Sequence, residues 1–459
     1  MRRARIACAA AALVALGGCI NLQPRYERPA APVAAQFPFA PAASAPAAPD
    51  WQAFFADPRL DRLIDIALAN NRDLRVAVIN IEAARAQLGL RRADQLPTVN
   101  LAATGSRTAP ANANGGVTSV YTVGLAVSSF ELDLFGRVRS LSDAALAQLA
   151  ATEEARKAAQ IALVSSVANA YVAMAADDAL IDIAQRTVGT RDESLKLTQL
   201  RFDNGVVSDF DLQTARSALE AAKVALAAAQ RQRATDQNAL ELLLGQPLPA
   251  ALPAAHTLAT MQLPDLPAGL PSEVLLRRPD VRQAEQQLIA ANASIGAARA
   301  AFFPHITLTG SAGTASVALS KLFQNTAWSF APALVQPLFD AGRNRSNLQA
   351  SEAARDIAVA QYEKSVQSAF RDVADALAGR ATFGEQLRAQ QAQADAEGVR
   401  FRLSTLRYDN GVASSLELLD AQRSLFLAQQ AVVQAQLALL QNRITMYRSL
   451  GGGWPAASS

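Results

Sequence analysis

The sequence has few of the residues that catalytic and metal sites use. Its 459 residues include two cysteines, two histidines and four methionines. His256 and His305 stand far apart, without cysteine or acidic neighbours at a metal-ligand spacing, so we expect no metal and no cofactor. The chain has no G-x-x-x-x-G-K-[ST] loop and no G-x-S-x-G motif. We therefore expect a protein that is not an enzyme and draws its energy from elsewhere.

Aromatic residues are also scarce. They make up 6% of the chain, whereas hydrophobic residues make up 51% and alanine occurs in nearly every segment. This composition favours long, close-packed helices over a large globular core. The sequence pI near 9.0 carries little meaning, because three arginines lie in the N-terminal signal described below and the rest of the chain has equal numbers of basic and acidic residues. We expect no nucleic-acid partner.

The first residues, MRRARIACAAAALVALGGC, have a basic start, an apolar run and small residues before a cysteine. This layout predicts an export signal over residues 1–18. The LGGC stretch resembles a bacterial lipobox, which implies a covalent lipid such as palmitate on Cys19; the alternative is an ordinary signal cut near Gly18. No disulfide is possible in the mature chain, because Cys19 is then its only cysteine. Residues 19–56 are rich in proline and alanine and predict an extended tether without a core.

The rest of the chain contains two repeats that keep a common register. A proline-rich connector joins them, and a short tail follows the second. The predicted boundaries are 57–245 for the first repeat, 246–271 for the connector, 272–450 for the second repeat and 451–459 for the tail. Each repeat reads as a helix, a β-hairpin, a long helix, a turn and a return helix. Asp73, Gly89 and Pro97 of the first copy match Asp280, Gly296 and Pro304 of the second. We therefore expect an internal two-fold repeat.

Two patterns define the elements of each repeat. The hairpins, residues 97–130 and 304–338, contain strands of about ten residues, the length that a membrane β-strand needs. The long helices carry an apolar residue at every seventh position, which predicts a coiled-coil seam. In the first copy these residues are Val167, Met174, Ile181, Val188, Leu195 and Phe202. At ~1.5 Å per residue, this helix is on the order of 95 Å long.

Four strands cannot close a barrel, and an unpaired strand edge is costly in lipid. The chain should therefore oligomerise and contribute its strands to a composite barrel, with the helices packed side by side as a tube. A membrane pore joined to a long tube predicts a conduit.

Several stretches are similar to the TolC-like outer membrane factor family, and within it to the lipoprotein (NodT-type) branch of RND-type efflux systems. They are QPRYERP, WQAFFADPRLDRLIDIAL, QPLFDAGRNRS and YDNGVASSLELLDAQRSLF. The resemblance implies a mainly α protein with membrane β: a homotrimer with a 12-strand outer-membrane barrel and a coiled-coil periplasmic α-barrel. It further implies a passive exit duct for drugs or other toxic compounds, joined to a periplasmic adaptor and an inner-membrane RND transporter and serving antibiotic resistance.

The helix turns are the candidate site. RFDNGVVSDFD and RYDNGVASSLELLD repeat each other, with Gly205 and Gly411 expected as left-handed helix caps. By resemblance, Leu416 is an apolar constriction and Asp420, with Glu417, forms an acidic ring at a periplasmic gate, in which like charges should raise some carboxylate pKa values. Arg423 also belongs to this gate, because neither Asp420 nor Arg423 recurs in the first copy.

Simpler roles remain open for the same residues. Ser208 with Asp211 and Ser414 with Glu417 match a helix capping box, and Asp420 with Arg423 matches an i, i+3 ion pair. The resemblance also implies a latch between the turns from Asp211 and Tyr408, although the basic residue that some relatives carry after the turn glycine is absent here.

Two other functions also fit the pattern. One is a duct for type I protein secretion or metal-ion efflux. The other is a coiled-coil lipoprotein that spans a distance without conducting, which would explain the helical seams but not the paired hairpins.

Overall fold

A computed structural model of the chain describes residues 21–39, 50–109, 116–265 and 272–452. Cys19 and the export signal lie outside these residues. Within them the chain forms two compact units. The sheet unit comprises residues 21–31, 79–109, 116–154 and 282–364, and the turn unit comprises residues 32–39, 50–78, 155–265, 272–281 and 365–452.

Helices make up most of the described chain. In the first repeat they are α1 Trp51–Phe54, α2 Pro58–Asn70, α3 Arg72–Ala93, α4 Arg137–Asp203 and α5 Asp209–Leu244. In the second they are α6 Pro279–Ala300, α7 Arg343–Asp409 and α8 Ser415–Ser449, preceded by a 3-10 turn at Ser272–Arg277. Corresponding helices α3 and α6 have 22 residues each, α4 and α7 have 67 each, and α5 and α8 have 36 and 35. The internal repeat is confirmed.

The sheet unit contains one four-stranded antiparallel sheet. Its strands are β1 Val99–Thr108, β2 Thr118–Leu132, β3 His305–Ser316 and β4 Thr326–Val335, in the order β1-β2-β3-β4. The two hairpins therefore pair side by side through β2 and β3, with a bulge between Val127 and Phe130. Among the described residues β1 and β4 each have an unpaired edge. One face of the sheet exposes apolar side chains such as Leu101 and Trp328, which share a cross-strand row through Leu125 and Ala312, and this suits strands that lie in lipid.

The single helix predicted at the start of the first repeat is two helices, α2 and α3. Asn71 interrupts it with an extended backbone, ψ 132°. The Asn71 side chain accepts a hydrogen bond from Leu74 N at 2.9 Å and donates one to Leu243 O at 2.9 Å. It therefore caps α3 and satisfies a carbonyl at the end of α5, which stabilises the break.

The predicted tether is extended, but residues 21–31 pack on α6 within the sheet unit instead of standing free. Glu285 of α6 is buried, and it accepts hydrogen bonds from Arg28 Nε at 2.6 Å and Tyr26 Oη at 3.0 Å. Asn292 Nδ2 donates to Pro24 O at 2.8 Å. Because a buried carboxylate needs partners, this segment is part of the folded protein and not a spacer.

Residues 32–39 belong to the turn unit, where Phe37 is buried against Phe370. The two rings stack with centroids 4.8 Å apart. A second aromatic cluster in this unit joins Phe54 and Phe55 of the α1 region to Tyr447 of α8, with the Phe54 and Tyr447 centroids 4.6 Å apart. These contacts hold Phe37 against α7 and the α1 region against α8.

Helix α4 is long and apolar enough to cross a membrane by length and composition. However, 56% of its most apolar window is buried within the protein. The seam residues Val167 and Met174 are among the buried ones. The apolar character of α4 is therefore explained by packing against neighbouring helices.

Candidate functional site at the helix turns

The α4–α5 and α7–α8 turns have the same backbone construction. Gly205 and Gly411 have φ of 69° and 72°, a conformation in which a side chain would be strained. The next amides bond back to the ends of the preceding helices, Val206 N to Arg201 O at 2.8 Å and Val412 N to Arg407 O at 2.9 Å. These bonds form the left-handed caps that the Asn-Gly pair predicted. The turn geometry is thus set locally in both copies.

The starts of the return helices differ between the copies. Ser208 and Asp211 form a complete capping box, in which each side chain bonds the backbone amide of the other residue at 3.2–3.3 Å. Ser414 accepts from Glu417 N at 3.2 Å, but the Glu417 carboxylate faces Arg407, 3.4 Å from its Nε. Only half of the second box therefore forms, and Glu417 is left free to make an ion pair.

Two contacts join one turn to the other. Ser415 Oγ donates to Asp211 Oδ1 at 2.5 Å, between the first residues of α8 and α5. The Arg201 guanidinium at the end of α4 lies over the Tyr408 ring of α7, 4.5 Å from its centroid. We call this pair of contacts the turn link. Hydrogen bonds from the hydroxyls of Ser208 and Ser415 hold the pKa of Asp211 below its ordinary value.

The two predicted latch residues, Asp211 and Tyr408, both belong to the turn link, but each contacts a residue other than the predicted partner. The structure does not bring Tyr408 and Asp211 together: the Tyr408 hydroxyl is buried and has no hydrogen-bond partner among the described residues. Ser415 supplies the hydroxyl that Asp211 binds. Serine has a shorter side chain than tyrosine, and Ser415 stands at the start of α8, from where its hydroxyl reaches Asp211 of α5 directly.

Asp420 lies between two arginines. Arg423 Nη2 on the same helix is 2.6 Å from Asp420 Oδ1, and Arg400 Nη2 of α7 donates to Oδ2. Bonding to Arg400 first, and to Arg423, lowers the pKa of Asp420 from its ordinary value. Within one protomer the direction is therefore opposite to the rise expected from a ring of like charges, because the two guanidinium groups stabilise the carboxylate.

Leu416 is 70% exposed at the start of α8. Phe210 on α5 and the residues after the two turn glycines, Val206 and Val412, are exposed as well. The chain therefore presents apolar side chains around both turns, next to the charged groups described above. This pattern suits packing against other chains more than it suits free solvent.

Arg400, Ser415 and Arg407 were not found from the sequence. Arg400 and Asp420 stand ten residues on either side of Asn410. Residues at equal distances from a helix turn face each other when the helices run back antiparallel. That spacing was the available signal, whereas the contact of Ser415 with the first repeat has no local signal.

The structure gives no sign of a catalytic centre in these regions. Across the described ranges, no three His, Cys, Asp or Glu side chains are placed to hold a metal ion. The charged groups at the turns pair with one another and with serine hydroxyls. Their arrangement can hold helices together or release them, and it can attract cations.

Comparison with known proteins agrees with this architecture. The chain matches the family described as "Outer membrane efflux protein" over residues 63–246 and 270–452. It is 48% identical over 454 residues to "Toluene efflux pump outer membrane protein TtgC" of Pseudomonas putida, covering 96% of this chain and 93% of that protein. It is 46% identical over 461 residues to "Outer membrane protein OprJ" of Pseudomonas aeruginosa, covering 97% and 95%.

A solved structure gives the same result. The open state of the Neisseria gonorrhoeae MtrE outer membrane channel matches with a TM-score of 0.86 and 43% identity, covering 94% of this chain and 98% of that chain. The mixed fold, the outer-membrane location and the absence of an enzymatic role are confirmed by these relatives. The chain belongs to the outer membrane efflux protein family and is an outer-membrane efflux channel component, a conduit and not an enzyme.

Proposed function

We propose that three copies of this chain form one channel. The open sheet, with its unpaired edges at β1 and β4, is the observation that supports this most directly. In lipid each unpaired backbone group costs several kcal/mol, so β4 of one chain should pair with β1 of the next. Three sheets of four strands then close as a 12-strand barrel, and the long helices of the three chains line a periplasmic tube.

The helix turns form the gate of this channel. The turn link holds α7 and α8 against the first repeat, and the Arg400–Asp420 pair holds α7 to α8, which corresponds to a closed tip. Three symmetric copies of Leu416, Glu417, Asp420 and Arg423 would surround the axis. Opening the tip requires breaking these contacts, and a partner or water would have to replace the hydrogen bonds and ion pairs that are lost.

The duct works with partners that supply energy. A periplasmic adaptor and an inner-membrane RND transporter fit a chain that has no nucleotide-binding motif. The exported compounds are small toxic molecules. Toluene is the substrate named for one relative and antibiotics for another, and both are 48% identical to this chain. The exposed apolar side chains at the turns offer the adaptor a surface.

A lipid on Cys19 holds the chain at the outer membrane. The sequence of the lipobox supports this, and Asn21, two residues later, opens the segment that packs on the sheet unit. Mass spectrometry of the purified protein should show a diacylglyceryl and acyl mass on the first peptide. Replacement of Cys19 by Ala should abolish this added mass.

Planar-bilayer recording tests the channel proposal. Purified protein should insert as trimers, measured by native mass spectrometry of the same sample, and produce discrete cation-selective conductance steps. A monomeric, non-conducting product from correctly folded protein would contradict it. A conducting trimer that binds no adaptor would retain the channel and reject only the partner assignment.

A further inference from the structure

Helix α6 of the second repeat packs on α4 of the first repeat within the sheet unit. Ser140 of α4 is fully buried, and a Cβ on Gly296 of α6 would lie 2.5 Å from its Oγ. Arg282 Nη1 lies 3.8 Å from Glu154 Oε1. Glu154 follows Ser140 by fourteen residues and Arg282 precedes Gly296 by fourteen, so the two helices run antiparallel in a single register. This contact joins the two repeats inside one chain.

Helices α3 and α7, which correspond to α6 and α4, lack this contact among the described residues. Gly89 of α3 matches Gly296, and Ser346 of α7 matches Ser140 in the shared GRVRS and GRNRS sequences. A Cβ on Gly89 would meet no atom of the described chain within 4 Å beyond its own turn of helix, and Ser346 is exposed. The same pair of surfaces is therefore present a second time, and both are uncovered.

Further residues on α7 show the same difference from α4. Ala151 is 1% exposed, whereas Ile357, at its position in the second repeat, is 59% exposed. Ala147 is buried and its counterpart Ala353 is exposed. Ser346, Ala353 and Ile357 are spaced by seven and four residues, so they lie on one side of α7. That exposed side corresponds to the side of α4 that carries Ser140 and packs on α6.

The junctions between helices and strands repeat this relation. Phe135, between β2 and α4, stacks on Phe303, which precedes β3, with ring centroids 4.7 Å apart. Leu96 occupies the position of Phe303 in the first repeat and is 69% exposed, and Phe339, between β4 and α7, is 91% exposed. Leu96 and Phe339 stand beside β1 and β4, whose outer edges are unpaired in the described chain.

We infer that these faces bind a second copy of the chain: α3 of one copy packs antiparallel on α7 of its neighbour, with Gly89 against Ser346 and Leu96 against Phe339. The two faces cannot meet within a single chain, because α3 leads into β1 and α7 follows β4, at opposite edges of the sheet. This helix contact presupposes the proposed association of three copies, and it continues the pairing of β4 with β1 into the tube.

Apolar packing holds this contact between copies. Burial of Leu96, Ile357 and Phe339 removes apolar surface from water and favours association. Ala360 stands at the position of Glu154, so the contact has no counterpart of the ion pair with Arg282 that joins α6 to α4. The contact between copies should therefore depend little on salt concentration.

Disulfide cross-linking of the full-length protein in isolated outer membranes tests the contact. In the Gly89→Cys, Ser346→Cys variant, a mild oxidant should join neighbouring copies, because the two Cβ atoms would lie close enough for a disulfide. Non-reducing electrophoresis should show covalent trimers that a reductant removes. Each single variant should give no covalent trimer, which also accounts for Cys19. In the Gly89→Cys, Ser351→Cys control, the second thiol lies five residues further along α7 and on another side of it, and cross-linking should fall at least about tenfold.

Gly89→Leu provides a second measurement, which decides the matter if the paired cysteines prevent folding. The added side chain has open space within the chain but would meet α7 of the neighbour, so the trimer fraction in native mass spectrometry should fall several-fold while the helical content is kept. Gly189→Leu is the matched control and should leave the trimer fraction unchanged. Gly189 of α4 is an exposed helical glycine with equal space, and its counterpart Asp395 is exposed too.

The outcomes separate this contact from the trimer itself. A wild-type trimer whose Gly89 and Ser346 positions cross-link no better than the Ser351 control overturns the helix contact and retains the trimer. An unchanged trimer fraction in Gly89→Leu overturns the contact in the same way. Wild-type protein that is folded and monomeric overturns both.

Discussion

Ser415 Oγ donates a hydrogen bond to Asp211 Oδ1 at 2.5 Å, joining the first helical turns of α8 and α5 across 204 residues of sequence. The same Asp211 closes the capping box of its own helix through Ser208. One carboxylate therefore serves a local structure and a contact between the repeats. Loss of the serine should loosen the contact while leaving the helix cap in place.

Ser415→Ala should open the tip without unfolding α8. Removal of a hydrogen bond to a charged acceptor costs about 1.5–3 kcal/mol when the contact is well formed, and less here because the site is partly exposed. Cells carrying the variant should become several-fold more susceptible to an antibiotic too large to cross the outer membrane. Asp209→Asn, which alters a first-turn carboxylate bonded only to Gln213 of its own helix, is the control and should have no such effect.

Arg400→Met should free the Asp420 carboxylate. Arg400 is the main cause of the lowered pKa of Asp420, so this pKa should rise toward its ordinary value. A carboxylate no longer neutralised by Arg400 attracts cations, and cation selectivity in bilayers should increase. Asp420→Asn should reduce the cation selectivity. Arg388→Met, which removes an exposed i, i+3 pair on the same helix, should leave selectivity unchanged.

Acid should open the turns. The pKa values of Asp211 and Asp420 are both lowered in the folded protein, so their contribution is present above the ordinary aspartate pKa and is lost as pH falls through the lower folded value. We expect constant closed-state conductance from neutral pH to about pH 5, and increased opening below about pH 4. Recordings across this range should show no acid response in the Asp211→Asn, Asp420→Asn double variant.

Asp177 should make the helices more stable in acid than in base. Only 6% of it is exposed, and burial, followed by bonding to Asp236, raises its pKa to about 7. Because the folded pKa is raised, stability is greatest below the unfolded value near 4 and declines as pH rises through about 7. Asp177→Asn should raise the denaturant midpoint at pH 8 by the equivalent of about 2 kcal/mol and change it little at pH 4. Asp178→Asn, which breaks an exposed pair with Arg233, should not reproduce this pattern.

Gly124 and Gly313 should resist substitution. They face each other across β2 and β3, and a Cβ on Gly124 would lie 2.4 Å from Ala312 O. Gly124→Ala should therefore force the strands apart, at about 1–3 kcal/mol, and lower the yield of assembled protein in outer-membrane fractions. At Gly310 the nearest atom would be 3.4 Å away, so Gly310→Ala should assemble normally.

The sequence predicted those features that depend on local chemistry. Asn-Gly followed by a capping serine is enough to define each turn, and the repeated register of Asp73 and Asp280 is enough to define the duplication. The break at Asn71 and the packing of Tyr26 and Arg28 on Glu285 were missed, because their partners lie far away in sequence. The sequence also did not show that Ser415, and not Tyr408, bonds to Asp211, because these residues lie far apart in the sequence.

Single-channel recording of wild-type protein and an Asp211→Asn, Ser415→Ala variant in planar bilayers most directly tests a conduit gated at its helix turns. We expect a trimeric wild-type channel with low conductance and rare openings, and a variant that inserts equally well but stays open with several-fold larger steps. Wild-type and variant traces with the same conductance and open time, from trimers shown to be folded, would contradict the gate.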